Sequence, residues 1–404
     1  VTTFTPSTSD DVLSVVRWSA GEETPLEIIG HGSKRGIGRP LQTEHTLDLS
    51  GLAGVTLYEP EELVLSARAG TPMADIERLI AEKGQELAFE PIDYGRLLGG
   101  EAGRGTIGGT LAANLAGPRR VKAGAARDHV LGIHAVSGRG EAYKSGGRVV
   151  KNVTGYDLSK GLAGSWGTLA VATDVTFKVL PAAETEITLA VRDLQDAGTA
   201  AALAVAMGSS CEVSGAAHLP EGIADKVAGG VLGNRPATLI RVEGFGPSVA
   251  YRVARLKELL RGAPEIDEIP VETSRAVWRD IRDCIPFADG TPKPVWRVSV
   301  APSEGWKLAL ALRMEAPASA FFDWQGGLVW LRIETGGDPE ADLVRRLVAK
   351  CGGGHATLVR ASPTWRNVVA IFEPQPAPLA ALSQRLKNEF DPKGILNPGR
   401  MAAG

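Results

Sequence analysis

Two glycine-rich stretches carry the residue types most apt for ligand chemistry. The first, "IIGHGSKRGIGRP" (residues 28–40), sets Gly30 and Gly32 on either side of His31 and follows them with Ser33 and Lys34. Glycine reaches positive φ without a Cβ penalty, so successive backbone N–H groups there can turn inward as an anion nest. Ser33 adds a hydroxyl donor and Lys34 a positive charge. The combination suits a pyrophosphate; a plain glycine turn is the other reading. The second stretch, "GTIGGTLAANLAGPRR" (105–120), holds four glycines and three alanines. Gly105, Gly108 and Gly109 let backbone press against a flat or charged ligand. Asn114 can bridge the two stretches by donating and accepting at once. Tight helix–sheet packing selects the same small residues.

Neither stretch is a Rossmann fingerprint, because the G-x-G-x-x-G register is missing and no amphipathic helix follows the first at once. No G-K-[ST] Walker element occurs either. A dinucleotide would therefore be held by two loops and not by a helix start. A third stretch, "RVVKNVTGYDLSKGLAGSWGTLAVATDVTFKVLP", sets Lys151, Asn152, Tyr156, Asp157 and Lys160 on a loop ahead of a strand. That loop also reads as simply solvated. In "GTLAVATDV" the strand edge offers backbone groups able to meet a flavin or adenine edge.

These loops need elements to hold them. "SDDVLSVVRWSAGEE" is expected as a helix capped by Ser9, with Asp10 and Asp11 in its first turn. "PLEIIG", "HTLDLS" and "LVLSARAG" are expected as strands. In "TPMADIERLIAEKG" the spacing of Met73, Ile76, Leu79 and Ile80 predicts a helix with Thr71 as cap and Pro72 in first position. "HVLGIHAVS" and "GTLAVATDVTFKVLP" complete the strands of the first half. Beyond Pro181 the texture changes. Strands at "EITLAVRD", "ATLIRVEG", "VWRVSVA", "GLVWLRIE", "HATLVRA" and "NVVAIFE" alternate with helices at 194–207, 247–261 and "PEADLVRRLVAKCGG". This predicts an antiparallel or mixed sheet with helices on one face. The tail "PLAALSQRLKNEFDPKGILNPGRM" reads as a helix and a punctuated turn.

Bulk composition narrows the classes. At 404 residues two domains are expected. A net charge of −3 gives no argument for nucleic acid or an anionic membrane. No apolar run is long enough for a transmembrane helix, and the first residues do not resemble a signal peptide. Cys211, Cys284 and Cys351 are scattered without a C-x-x-C pair, so neither an iron–sulfur cluster nor a zinc site is expected, and a reducing cytoplasm is. Six of the eight tryptophans follow residue 270; core packing is the expected reason.

The order of "IIGHGSKRGIGRP", "GTIGGTLAANLAGPRR", "RDHVLGIHAVSGRGE", "KNVTGYDLSKGLAGSWGTLAVATDVTFKVLP" and "DPKGILNPGRM" resembles the FAD-linked oxidases of the vanillyl-alcohol oxidase and p-cresol methylhydroxylase (PCMH) type. Within that family, "LDLSGLAGV", "GQELAFEPIDYG", "LAGPRR", "VWRVSVAPS" and "DWQGGLVWLR" are similar to the E-type FAD-binding subunits of glycolate oxidases. The resemblance covers nearly the whole chain. It implies an α+β fold: a two-subdomain PCMH-type FAD-binding domain over 1–182, an α+β cap domain with an antiparallel sheet over 183–374, and a C-terminal segment, 375–404, returning to the FAD domain. It implies that Gly30, His31, Gly32, Ser33 and Lys34 cradle the FAD pyrophosphate. Gly105, Thr106, Ile107, Gly108 and Gly109 would line flavin and diphosphate. Asn114, Gly117 and Arg120 would support them, and Ala170, Val171, Ala172 and Thr173 would meet the isoalloxazine or ribityl region. In relatives with a histidyl link the histidine sits where this chain has Ser33, so non-covalent FAD is expected. Valine at Gly108 or Gly109 is expected to abolish flavin uptake with the fold intact.

Flavin oxidation of a 2-hydroxy acid needs a carboxylate clamp and a base. Arg297, Arg332 and Arg360 are the candidate clamps, and His218 and His355 the candidate bases. Related self-sufficient dehydrogenases carry an H-x-G-D-G-N-x-H motif tied to a metal, which this chain lacks, and it has Trp166 where they commonly have an acid. The resemblance thus implies a subunit oxidising glycolate to glyoxylate beside a second, D-like FAD-binding subunit and an F-like iron–sulfur subunit. That places it in the cytoplasm, at the inner face of the membrane through its partners. Two other readings stand beside it: a self-sufficient FAD-dependent 2-hydroxy acid dehydrogenase, and a non-catalytic scaffold that has lost the flavin.

Overall fold

The computed structural model describes residues 2–148 and 156–402. Lys151 and Asn152 of the third stretch lie outside the described residues. The chain divides into two compact units. One comprises residues 1–116, 124–182 and 374–404; the other comprises 117–123 and 183–373.

Among the described residues the first unit holds three sheets, the smallest a two-stranded antiparallel pairing of Gln85–Glu86 with Leu180–Pro181. Thr2–Phe4, His45–Asp48 and Leu26–Ile29 form a small parallel sheet with the His45–Asp48 strand in the centre. A five-stranded antiparallel sheet runs in the order Val55–Glu59, Val64–Arg68, Ala170–Lys178, Val130–Ser137, Ala142–Gly146. Along Ala170–Lys178, Val175 and Phe177 alternate into a core with Leu65, Ile76, Ile107 and Leu111, and a register shift opposite His134–Ala135 lets Ala170 join the same cluster. A second cluster joins Val12 and Val16 of the Ser9–Glu22 helix to Leu26, Leu47, Ile395 and Leu396.

Two caps differ from expectation by one residue. Thr8, not Ser9, caps the first helix. Its hydroxyl accepts from the Asp11 N–H while the Asp11 carboxylate accepts from the Thr8 N–H, a reciprocal capping box. The helix Met73–Ala81 has Pro72 at its N-cap without a side-chain bond. The Thr71 hydroxyl instead donates to the Arg68 carbonyl at 2.6 Å and accepts from the Gly54 N–H at 2.9 Å, tying two loops together.

The second unit is built on one eight-stranded antiparallel sheet. Its order is Ile266–Ile269, Thr185–Arg192, Ala237–Gly244, Gly215–Leu219, Ala318–Asp323, Leu328–Ile333, Val295–Ser299, His355–Arg360. Two apolar clusters lie along it, one per half, with Leu189, Ile240 and Leu203 in the first and Trp296, Leu331 and Val344 in the second. The halves meet where Gly215–Leu219 pairs with Ala318–Asp323 through a single register pair, His218 opposite Phe322. Helices are not confined to one face. Asp196–Met207 and Gly246–Leu259 cover Leu189 and Val191. Val271–Arg282 packs on the opposite face, where the Trp278 indole N–H donates to the Thr188 hydroxyl and Ser274 bonds both Thr188 and Glu186. The expected strand at "NVVAIFE" is absent: Pro363–Val368 is a short helix, and Ile371 is held by its carbonyl, which accepts from the Leu358 N–H at 2.9 Å. Trp278, Trp296, Trp324 and Trp330 are all core residues.

Candidate cofactor site

The two glycine stretches meet within the first unit. A Cβ on Gly30 would fall 2.6 Å from the Thr106 hydroxyl oxygen, and one on Gly109 would fall 3.1 Å from the same atom and 3.4 Å from Lys34 Nζ. Only glycine lets the loops approach this closely. Gly32 adopts φ +71° and begins the turn that the Arg35 N–H closes onto the Gly32 carbonyl at 3.0 Å. The turn then presents Ser33 and Lys34.

A cleft opens beside this junction, with about 850 Å³ of empty space including its mouth. That is the size of an ordinary cofactor pocket. Of the expected residues, Gly30, His31, Gly32, Ser33, Lys34, Thr106, Gly108, Gly109, Ala170, Val171 and Ala172 line it. One end is polar, made by the Gly30–Lys34 turn with Arg35 and Arg400. The other end is walled by small and aliphatic side chains, among them Leu111, Ala112, Ala113 and Leu162.

Six expected residues do other work. Ile107 is fully buried in the core. The Gly105 carbonyl accepts from the Met73 N–H, and the Thr173 carbonyl accepts from the Ala69 N–H. The second stretch is not simply a loop: Thr106 caps a seven-residue helix, Ile107–Ala113, and Asn114 ends it in the left-handed region at φ 49°. The Asn114 side chain accepts from the Arg127 N–H at 3.0 Å and does not bridge the glycine stretches. Gly117 and Arg120 belong to the second unit, where the Gly117 carbonyl accepts from the Trp324 indole and Arg120 stacks on its ring. Gly108 has a packing reason of its own: a Cβ would lie 2.8 Å from the Ala69 Cβ and 2.9 Å from its carbonyl oxygen. Valine there would displace the Val64–Arg68 strand's continuation, so it is not a fold-neutral test of flavin binding.

Several lining residues were not assigned to the cofactor site from the sequence. Trp166 at φ 53° and Gly167 at φ 72° form a left-handed pair. Asn397, itself at φ 44°, holds them, with its amide donating to the Trp166 carbonyl at 2.8 Å while its oxygen accepts from the Ile28 N–H at 2.7 Å. The tail is anchored by Asp391, 1% exposed, which accepts from the Ile395 and Leu396 N–H groups and from Lys387. The Arg400 guanidinium donates to the Lys34 carbonyl at 2.8 Å and lies near Glu27 and the Trp166 ring. The "NPGRM" turn was visible in the sequence; its role in fixing the first glycine loop was not.

The cleft is electropositive at its polar end. Burial pushes the Lys34 ammonium down to about 8, against the pull of Asp93 and with Arg400 adding to the shift. Burial and then Arg104 also lower the His31 imidazole, so it is neutral near pH 7. Arg35 is paired with Glu27, whose hydrogen bond raises the guanidinium further. A buried lysine beside an uncharged histidine and a nest of N–H groups is a place for phosphate oxygens. The small-residue walls suit a flat ring.

The candidate substrate arginines differ in how committed they are. Arg332 is engaged by Asp289 and Glu334, and Arg360 donates to the Phe287 and Lys293 carbonyls. Arg297 stacks on the Trp324 ring at 4.7 Å, opposite in register to Trp330, and its buried Nε has no hydrogen-bond partner among the described residues. His355 is exposed on the outermost strand of the sheet. His218 is buried, its Nδ1 bonded to the Thr238 hydroxyl at 2.9 Å.

The model of the FAD binding domain family matches residues 2–146 of this chain. The glycolate oxidase subunit GlcE of Escherichia coli (strain K12) is 35% identical over 396 residues, covering 98% of this chain and 97% of that one. The chain belongs to the PCMH-type FAD-binding family. Within it, the glycolate oxidase subunit GlcD of Bacillus subtilis (strain 168) is 30% identical over 186 residues, 46% of this chain and 38% of that one. Among solved structures, a p-cresol methylhydroxylase with substrate bound aligns over 99% of this chain and 88% of its own length, with a TM-score of 0.74 at 16% identity. The fold is therefore the α+β PCMH-type fold, and the protein is an FAD-linked oxidoreductase of the GlcE-related group. No helix among the described residues is long and apolar enough to cross a membrane.

Proposed function

We propose that this protein is the FAD-binding subunit of a glycolate oxidase complex. In it glycolate is oxidised to glyoxylate, and electrons pass through the flavin to a partner iron–sulfur subunit beside a D-like flavoprotein subunit. The complex sits in the cytoplasm at the inner face of the membrane. The end-to-end similarity to GlcE carries this reading.

The cleft residues fit FAD. Their chemistry divides as the molecule does, with a cationic, N–H-rich end for the diphosphate and an apolar end for the ring. Bound there, FAD supplies a two-electron acceptor for the hydrogen on the carbinol carbon. The chain's own part is positional. The 30–34 turn and Lys34 hold the diphosphate. Trp166, Gly167 and Asn397 fix the wall beside the ring. Arg297, stacked and lacking an acceptor for Nε, is the arginine of this chain best suited to hold a substrate carboxylate.

Two features favour a subunit over a self-sufficient enzyme. The H-x-G-D-G-N-x-H motif is missing, and no group of three or more His, Cys, Asp or Glu among the described residues could hold a metal. The helix Ala377–Phe390 buries none of its residues and exposes Leu379, Leu382 and Leu386 on one face. Such a stripe supports contact with another chain.

Purification of the tagged chain from its native host tests the reading. Co-purification of a second flavoprotein and an iron–sulfur protein, with glycolate turnover only in the assembly, is expected. Turnover of 2-hydroxy acids by the isolated yellow chain with an artificial acceptor would overturn the complex reading. A colourless chain that takes up no added FAD would overturn the flavin site itself.

A further inference from the structure

A second cavity lies wholly within the second unit, at the seam of its sheet. It encloses about 1030 Å³ of empty space including its mouth. The seam explains it: where two half-sheets share one register pair, the strands splay and side chains do not fill the gap. Its floor contains His218 and Phe322, the two residues of that pair, with ring centroids 5.9 Å apart.

The polar groups on this floor are unusual for an ordinary packing defect. Thr199 is 6% exposed and its hydroxyl has no hydrogen-bond partner among the described residues. A buried hydroxyl left unpaired carries its full desolvation penalty, so its persistence points to a ligand or solvent acceptor. His218 is 4% exposed, and Thr238 is its only hydrogen-bond partner among the described residues. The helix Asp196–Met207 begins at the cavity, and its N-cap, Gln195, supplies no side-chain bond. The Gly198 and Thr199 N–H groups donate to the Gln195 carbonyl, so the Asp196 and Ala197 N–H groups and the positive end of the dipole are what this helix start offers. Arg313, also lining the cavity, has no carboxylate partner among the described residues and is close enough to help hold His218 neutral, its imidazole pushed down to about 4 chiefly by burial.

These groups favour an anion, but only a weakly charged one. Asp196 and Glu221 stand at the rim and repel a second negative charge. The remaining walls are apolar, with Trp306 and Leu310 facing the mouth. We propose that this cavity binds a small monocarboxylate with an apolar body, its carboxylate taken by Thr199, Arg313 and the helix start, its body lying between Trp306 and Phe322. The site is separate from the flavin cleft and does not depend on it.

Benzoate is the probe, with benzamide as the neutral isostere and phenylphosphonate as the more highly charged one. Calorimetric titration of the FAD-loaded full chain is expected to give saturable benzoate binding. Benzamide and phenylphosphonate should each bind at least tenfold more weakly. Arg313→Met and Thr199→Val should each weaken benzoate at least tenfold, with flavin absorbance and thermal midpoint retained. Benzoate binding that survives both substitutions unchanged belongs to another site and overturns the proposal. So does benzamide binding as tightly as benzoate, or no saturable binding at all.

Discussion

Lys34 makes the flavin site sensitive to pH in a direction that can be worked out. Its ammonium is pushed by burial from 10.5 to about 8 in the ligand-free protein. The diphosphate of FAD needs the charged form. Between pH 7 and pH 9 the protonated fraction falls from roughly 0.9 to roughly 0.1, so FAD affinity should fall about tenfold over that range. Above pH 8 each FAD bound should carry about one proton in with it, read as a buffer-dependent heat in calorimetry. Stability of the apoprotein moves the other way. The folded pKa lies below the unfolded one, so between pH 8 and pH 10.5 the unfolded chain holds the extra proton. The penalty for burying the cation is therefore relieved as pH rises, by up to about 3 kcal/mol. Lys34→Met should bind FAD about tenfold or more weakly at pH 7, lose the pH slope, and leave the apoprotein at least as stable as the parent. Wild-type affinity that is flat from pH 7 to 9, or a slope that survives Lys34→Met, would refute the assignment of Lys34 to the diphosphate.

Filling the cleft with Ala112→Trp, a half-buried position on its wall, should abolish flavin absorbance in the purified protein while circular dichroism stays that of the parent. Asn397→Ala removes both bonds that join Ile28 to Trp166; a loss of about 1–3 kcal/mol in urea unfolding and weaker FAD uptake are expected. Glu243 is flanked by Arg119 at 2.6 Å and Arg241 at 2.9 Å. Burial raises its carboxyl, but the two arginines outweigh this and hold it at about 2. Its folded pKa is depressed, so its stabilisation is present above pH 4.5 and is lost as pH falls toward 2. Glu243→Gln should cost about 3–5 kcal/mol at pH 7 and flatten that acid limb. Arg297→Met should raise KM for the hydroxy acid with FAD content unchanged, measured by steady-state kinetics of the assembled complex.

The parts of the fold that announce themselves are those with strict periodicity. The apolar pattern in "GTLAVATDVTFKVLP" locates a strand within three residues at each end, and the Met73, Ile76, Ile80 stripe locates a helix within one or two. The helix Val271–Arg282 went unread although Val277, Trp278 and Ile281 share its buried face, because Arg275, Arg279 and Arg282 dominate its composition. The apparent strand at "NVVAIFE" failed for the opposite reason: its first residues are taken into the Pro363–Val368 helix, capped by Ser362, and of its backbone only the Ile371 carbonyl bonds to the edge strand His355–Arg360 among the described residues. At the candidate site, Gly30–Lys34 drew attention because glycines beside serine and lysine suit either an anion nest or a plain turn, and these residues do line the cleft. Trp166 and Asn397 were not, since each is a left-handed non-glycine residue whose conformation is imposed by the other. Nothing in either local sequence shows that residues 231 positions apart share a hydrogen bond.

Glycine density therefore reports close approach without naming what is approached. Gly108 sits against Ala69, Gly30 against Thr106, and Gly138 against Asp391, where a Cβ would fall 2.3 Å from the carboxylate. All three are contacts of the protein with itself. The ligand-facing surface is what these contacts leave behind: once the two loops interlock and the tail pins Trp166, the backbone N–H groups of residues 31–34 have no backbone acceptor among the described residues. The turn is half-buried, so water or a bound anion can take these N–H groups, and packing of the glycines leaves the place for an anion indirectly. It follows that substitutions at the packing glycines should lower stability and flavin content together. Substitutions at Ser33 and Lys34, which face the cleft, should lower flavin content alone. Loss of stability on Ser33→Ala, with flavin content intact, would reverse that division.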